Sequence, residues 1–188
     1  MMFQAPECRS LAPAPRESIL PMSELGVRWD EVRLCEWTPR WTELFEAEAA
    51  RLRAACSHAV IEHVGSTAIP DLPAKPIIDI LVGVEREQLD DAVAVLDSLG
   101  YRAHSEKHRG DRIFLWLGEG DVSRYHVNVT HVGSDTWRSL LRLRDLLRSD
   151  LRARARYEAE KRALAKQHRY DRQAYLAAKS RVIRELLG

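Results

Sequence analysis

Glu62, His63, Gly65, Ser66, Thr67, Lys75 and Asp79 fall within one short stretch whose other residues are mostly apolar. It runs Ile61-Glu62-His63-Val64-Gly65-Ser66-Thr67-Ala68-Ile69-Pro70, then, past Asp71, Leu72-Pro73-Ala74-Lys75-Pro76-Ile77-Ile78-Asp79-Ile80. This reads as a strand, a Gly-Ser turn, and a second strand carrying one carboxylate where the flanking pattern asks for none. A glycine after a strand lets the backbone approach a ligand, and the amides of Ser66 and Thr67 at a helix start then face an anion, with two hydroxyls as further donors. Asp79 is spaced to hold a Mg²⁺ ion bridging the same phosphates, because Mg²⁺ takes one or two carboxylates and fills its other positions with water and phosphate oxygens. Lys75 adds a cation just ahead of that strand. An ordinary strand-turn with a satisfied aspartate has the same spacing, so these residues alone leave both readings open.

The elements that would position these residues follow from periodicity. Glu31 to Trp37 alternates as a short strand, and Thr38-Pro39 supplies an N-cap and a proline for the first helical position. Trp41, Leu44, Phe45, Leu52 and Ala55 then mark one face of a helix ending near Ala55. Ala59 to Val64 and Pro76 to Val84 are strands, the second apolar enough to be central in a sheet covered on both faces. Glu85 to Leu99 reads as a helix with Gly100 at its C-terminal cap. Arg112 to Leu117 and Arg124 to Thr130 form a hairpin around Gly118-Glu119-Gly120-Asp121. From Ser134 the pattern is helical throughout: a helix capped by Ser134, a second over about Leu151 to His168, and a third over about Asp171 to Leu187. The class is therefore α+β, a mixed sheet flanked by helices with a C-terminal helical bundle. Residues 1–26 hold Ala12-Pro13-Ala14-Pro15 and no sustained periodicity, so they read as a disordered tail ahead of a single domain over residues 27–188.

At 188 residues the chain is long enough to bury its own core. Its three cysteines include no C-x-x-C pair, which argues against a disulfide framework or a zinc ribbon and suits a reducing cytoplasm. No apolar run approaches the roughly 20 residues of a membrane span, and Met1 to Met22 lacks the pattern of a secretory signal. The net charge of +1 is unevenly spread: from Ser134 onward fifteen Lys and Arg face seven Asp and Glu, a balance of +8, which leaves −7 for the rest. That asymmetry suits an anionic partner, and equally suits arginine-rich helices with a solvated outer face. No aromatics are regularly interleaved with the arginines, which places nucleic acid last among partners.

The run from Glu62 to Asp79 resembles the signature of the GrpB family, E-H-x-G-S-T-A-x-P-x-L-x-A-K-P-I-I-D. The resemblance continues at Trp137, at Leu143-Arg144-Asp145-Leu146-Leu147-Arg148 against the family's F-R-D-Y-L-R, and at Tyr157 with Lys161 and Tyr175 with Lys179 against its Y-x-x-x-K pairs. With Trp41 it spans about Val32 to the C-terminus. It implies a nucleotidyltransferase-like fold, whose motif is Gly-Ser followed by Asp-x-Asp or Asp-x-Glu on a strand. Asp79 fills the first carboxylate position and Leu81 the second, so the two-metal site of that superfamily is incomplete. Glu62, or His126 with Asn128 on a later strand, would have to complete it; the family commonly shows H-x-H there, and Asn128 lacks imidazole's acid-base ability.

The resemblance implies a Mg²⁺-dependent transferase acting on a nucleoside triphosphate, in first instance ATP, and a small-molecule acceptor. The phosphates would lie on Gly65, Ser66, Thr67 and Lys75, with Arg144 and Lys161 closing over them, the metal on Asp79 and Glu62, and catalysis at Asp79, His63 and His126. Two other readings stay open. One is a nucleotide- or coenzyme A-binding module that has lost the chemistry, favoured by Leu81; the other is an ATP-dependent ligase joining small molecules. His63 and His126 also suit structural roles, Arg144 with Asp145 also suits a helix-packing ion pair, and Tyr157 and Tyr175 read as packing residues.

Overall fold

The computed structural model describes residues 25–104 and 110–188. The expected tail lies outside the described residues except for its last two positions, which belong to the fold. Leu25 is buried, and Gly26 N donates to Pro76 O at 2.8 Å.

Six strands form one mixed sheet: β1 (Val27–Arg28), β2 (Val60–Val64), β3 (Ile78–Val84), β4 (Arg102–Ala103), β5 (Ile113–Glu119) and β6 (Val122–His131). The order is β2-β3-β6-β5-β4, with β1 on one end of β6. Only the β3–β6 pairing is parallel; it sets Asp79 opposite His126 and Leu81 opposite Asn128. β3 is the buried central strand that its apolar run implied. The Glu31–Trp37 strand does not form: Cys35 makes a single bridge to Ala74, and the chain then turns into a helix at Thr38-Pro39. The strand that does form there, β1, is two residues long and leaves no period to read.

Five helices cover the sheet: α1 (Arg40–Ala55), α2 (Leu89–Ser98), α3 (Asp135–Ser149), α4 (Leu151–Gln167) and α5 (Arg172–Leu187). Thr38 caps α1 through a 3.3 Å bond from Arg40 N, as its position before Pro39 required. Arg86–Gln88 is a 3₁₀ turn leading into α2, where a continuous helix from Glu85 was expected. Ser134, Asp150 and Asp171 cap α3, α4 and α5, each accepting a backbone N–H of its first turn, an arrangement worth about 1 kcal/mol per cap.

Strand alternation sorts β3 between two environments. Ile78, Ile80, Val82 and Val84 enter the main core with Trp41, Phe45 and Leu52 of α1 and Leu96 of α2. Asp79, Leu81 and Gly83 take the other face, where α3 packs so closely that a β-carbon on Gly83 would strike the Trp137 ring. Ile69 and Leu72 join Leu147, Tyr157 and Val182 in a second core that fastens α3, α4 and α5 beside the Gly-Ser turn. Among the described residues no helix is long and apolar enough to cross a membrane.

Candidate functional site

The second face of the sheet, the Gly-Ser turn and the three C-terminal helices enclose a cleft of about 260 Å³. Its floor is Asp79. The carboxylate accepts from His126 Nδ1 at 3.3 Å and keeps 34% of its side-chain surface exposed. Burial alone would raise its pKa, but the His126 hydrogen bond and the charges of Lys179 and Lys75 outweigh that and hold it below its ordinary value. His126 is pulled the other way: burial depresses it despite Asp79, so the ring is neutral at neutral pH with its proton on Nδ1.

Gly65 forms the wall beside Asp79. Its φ of 72° and ψ of −172° lie in a region that residues with a side chain rarely enter. Ser66–Ala68 follows as a single 3₁₀ turn, so the glycine, serine and threonine expected to cradle phosphate do stand together beside Asp79. The threonine hydroxyl is already engaged, however. Thr67 Oγ1 donates to Ile77 O at 3.3 Å and lies 3.1 Å from His63 Nε2; with its own proton committed, it receives the imidazole N–H. Thr67 O accepts from Trp37 Nε1 at 3.1 Å, so of Thr67 only the backbone N–H is left for a ligand.

The opposite wall is cationic. Lys75, Lys161 and Lys179 line the cleft with Tyr157 and Tyr175. Lys161, 3% exposed, donates to Pro73 O at 2.6 Å. Burial and neighbouring Lys179 push its pKa well down. Lys179 is pushed up instead, chiefly by Tyr157, to which it is hydrogen-bonded, with Tyr175 and Asp79 adding to the effect. The ammonium groups of Lys75 and Lys161 each stand 5.8 Å from the ring centroid of Tyr175 and Tyr157, respectively. Tyr175 OH, His126 Nε2 and Asn128 Oδ1 are buried without a hydrogen-bond partner, three polar atoms on cleft-lining residues that a ligand or water would satisfy.

Three expected site residues serve elsewhere. His63 points to the core face of β2, stacked 4.4 Å from Phe45, and burial lowers its pKa to about 4. It braces the turn through Thr67 and does not face the Asp79 side of the sheet. Glu62 accepts from Arg144 NH1 at 2.6 Å, and the same nitrogen donates to His63 O at 3.2 Å while Arg144 Nε holds Asp145 at 2.8 Å. Arg144 lines the cleft, but its hydrogen bonds latch α3 to the outer edge of β2. Glu62 is therefore spent on an arginine.

These positions decide how well a resident magnesium fits. Leu81, at the second carboxylate position, is wholly buried. Among the described residues no three His, Cys, Asp or Glu are grouped to hold a metal. Asp79 already faces His126, Lys75 and Lys179. One carboxylate in a cleft lined by three lysines does not supply the hard, oxygen-rich shell that Mg²⁺ requires, and Glu62 is paired with Arg144, so the expected Asp79–Glu62 metal site is not assembled.

Lys179, like Lys161 a helical position expected to line a cleft opposite the Gly-Ser turn, stands in its lining, and so do Tyr157 and Tyr175, which the sequence suggested as packing residues. Arg112 and Asn128 also line the cleft. The Y-x-x-x-K spacing on two helices was the available signal, since it sets each lysine one turn beyond its tyrosine on the same face.

A family profile described as GrpB protein matches residues 31–188. A UPF0157 protein of Pseudomonas aeruginosa is 37% identical over 177 residues, covering 87% of this chain and 71% of the relative. The crystal structure of the conserved protein GrpB from Enterococcus faecalis matches at a TM-score of 0.70 and 31% identity, over 82% of this chain and 97% of that one. Terminal uridylyl transferase 4 from Trypanosoma brucei, solved with bound dUTP, matches at 0.51 and 16% identity, over 81% of this chain and 55% of that one. The last likeness is one of fold, and the fold is nucleotidyltransferase-like.

Proposed function

The chain belongs to the GrpB family, and from that premise we propose that it is a nucleotidyltransferase-type enzyme whose cleft takes the phosphates of a nucleoside triphosphate, in first instance ATP, and passes the nucleotidyl group to a small-molecule acceptor. The observation that carries this reading is the cleft itself. A glycine-freed turn against a lone carboxylate faces three lysines, in a fold of the nucleotidyltransferase kind.

In the reaction an acceptor hydroxyl or amine attacks the α-phosphorus, the bond to pyrophosphate breaks, and the acceptor's proton passes to His126 Nε2, the unpartnered ring nitrogen facing the cleft. Such a transfer asks the protein for positioning and charge stabilisation more than for covalent help. Lys75 and Lys179 supply positive charge where the leaving pyrophosphate develops negative charge, and the backbone of Gly65 and Ser66 supports the phosphates from the other wall. Asp79 orients His126 and balances the lysines. No step passes through magnesium.

Leu81 favours a second reading, a binding module for a nucleotide or a coenzyme A derivative that performs no transfer. Two measurements separate them. Thermal shifts with ATP, other triphosphates and coenzyme A report which ligand the folded chain takes, since a ligand that binds only the folded state raises its stability by mass action. Incubation with ATP labelled at the α-phosphate and a pool of small metabolites then reports transfer. A stabilising ligand with labelled product supports the enzyme; the same shift with ATP left intact supports the module.

A further inference from the structure

Any nucleotidyltransferase fold invites a metal, yet the cleft that holds Asp79 is lined by three lysines. Lys75, Lys161 and Lys179 arrive from three elements: the loop ahead of β3, helix α4 and helix α5. They share one cavity with a single carboxylate, Asp79. Two tyrosine rings hold two of the lysines in place, at 5.8 Å each. The Tyr175 hydroxyl, 1% exposed, has no partner. A buried hydroxyl left unpaired beside the buried Lys161 and the half-buried Lys75 and Lys179 is costly, and an oxyanion, to which it would donate, satisfies it.

We infer that Lys75, Lys161 and Lys179, with the Tyr175 hydroxyl, replace the metal of the nucleotidyltransferase fold, and that the cleft takes the polyphosphate of its ligand as the free anion and not as its magnesium complex. The inference rests on the nucleotide reading above and sharpens it. Asp79 is then a counter-charge that keeps the lysine cluster from repelling itself when no ligand is present. Leu81 follows from the same logic: a second carboxylate would draw a divalent cation into competition with the lysines, whereas leucine leaves the phosphate as the strongest partner available. Magnesium in solution should weaken binding, because it neutralises part of the ligand's charge and occupies the phosphate oxygens that the ammonium groups would bind. Burial beside Lys179 disfavours the charge of Lys161, and a bound anion would favour it again.

The test is calorimetric titration of the full chain with ATP and with inorganic tripolyphosphate, each in EDTA and in excess Mg²⁺. Wild type, Lys179→Met and Lys75→Gln are compared, and thermal unfolding establishes that each variant is folded. Lys75 is partly exposed, so Lys75→Gln keeps the test decisive should Lys179→Met fail to fold. The expected result is saturable binding in EDTA, several-fold weaker in Mg²⁺ and at least about tenfold weaker in either folded variant, the loss of one charged hydrogen bond. Binding that requires Mg²⁺ and is indifferent to both lysine substitutions overturns the inference while leaving the nucleotide reading intact. No binding of either compound under either condition overturns both.

Discussion

Gly65 and Asp79 meet across the floor of the cleft with no room for a side chain between them. A β-carbon at position 65 would stand 2.8 Å from Asp79 Cβ and 2.9 Å from Cγ, and closer still to Oδ2. The glycine that opens the turn and the carboxylate on the next strand are thus one steric unit, and the sheet register keeps them together by pairing Val64 with Asp79.

Gly65→Ala should therefore lose about 1–3 kcal/mol from backbone strain at φ 72° and a further amount from displacing Asp79. Gly120→Ala is the control, since Gly120 has φ 57° with nothing within 4 Å of a β-carbon. Urea unfolding should show the larger loss at position 65; equal losses would mean that the contact with Asp79 carries no energy.

The Glu62–Arg144 pair should behave as a partly buried latch. The arginine side chain is 12% exposed and that of the glutamate 35%, so the coupling in a double-mutant cycle of Glu62→Gln and Arg144→Ala should be about 1 kcal/mol in stability. Strict additivity would show that the contact contributes nothing.

His63 gives the fold an acid dependence with a definite sign. Its folded pKa of about 4 lies below the ordinary 6.5, so the unfolded state binds the proton first. Stability is full above about pH 6.5 and falls as pH drops toward 4. Between about pH 7 and about pH 5 the loss from this residue alone should be about 2 kcal/mol. Comparing wild type with His63→Gln in urea at both pH values isolates it; identical pH dependence in the two would show that His63 is not held neutral by burial.

Asp79→Asn separates a counter-charge from a metal ligand. With the negative charge gone and the lysines left in place, ATP in EDTA should bind at least as tightly as to wild type, while urea unfolding should register a weaker bond from His126 Nδ1, which the amide oxygen still accepts without a charge. Nucleotide binding that wild type shows only with Mg²⁺ and that a folded Asp79→Asn protein loses would return Asp79 to the role of metal ligand.

Much of this site was legible because Glu62 to Asp79 is contiguous, so the turn, the second strand and the lone carboxylate could be read together. The face of each residue was legible in principle too. Alternation puts His63 with Ile61 on the core side, and weighing that would have removed it from the catalytic set. The lysine wall was legible only in part: Lys161 and Lys179 stood out as helical positions able to face the Gly-Ser turn, but the packing that sets them beside Lys75 did not. Lys75, Lys161 and Lys179 meet only because Ile69 and Leu72 pack against Leu147, Tyr157 and Val182, contacts between residues far apart in the chain. Arg144 keeps both readings that its position allowed: it lines the cleft, and its Nη1 and Nε donate to Glu62, His63 O and Asp145.

The central claim is that this cleft is a nucleotide-phosphate site, and a crystal structure grown with a non-hydrolysable ATP analogue tests it most directly. The account predicts phosphate density between the Gly65–Ser66 backbone and Lys75 and Lys179, with the Tyr175 hydroxyl on a phosphate oxygen. An analogue bound elsewhere, or a cleft holding only water at saturating concentration, would contradict it.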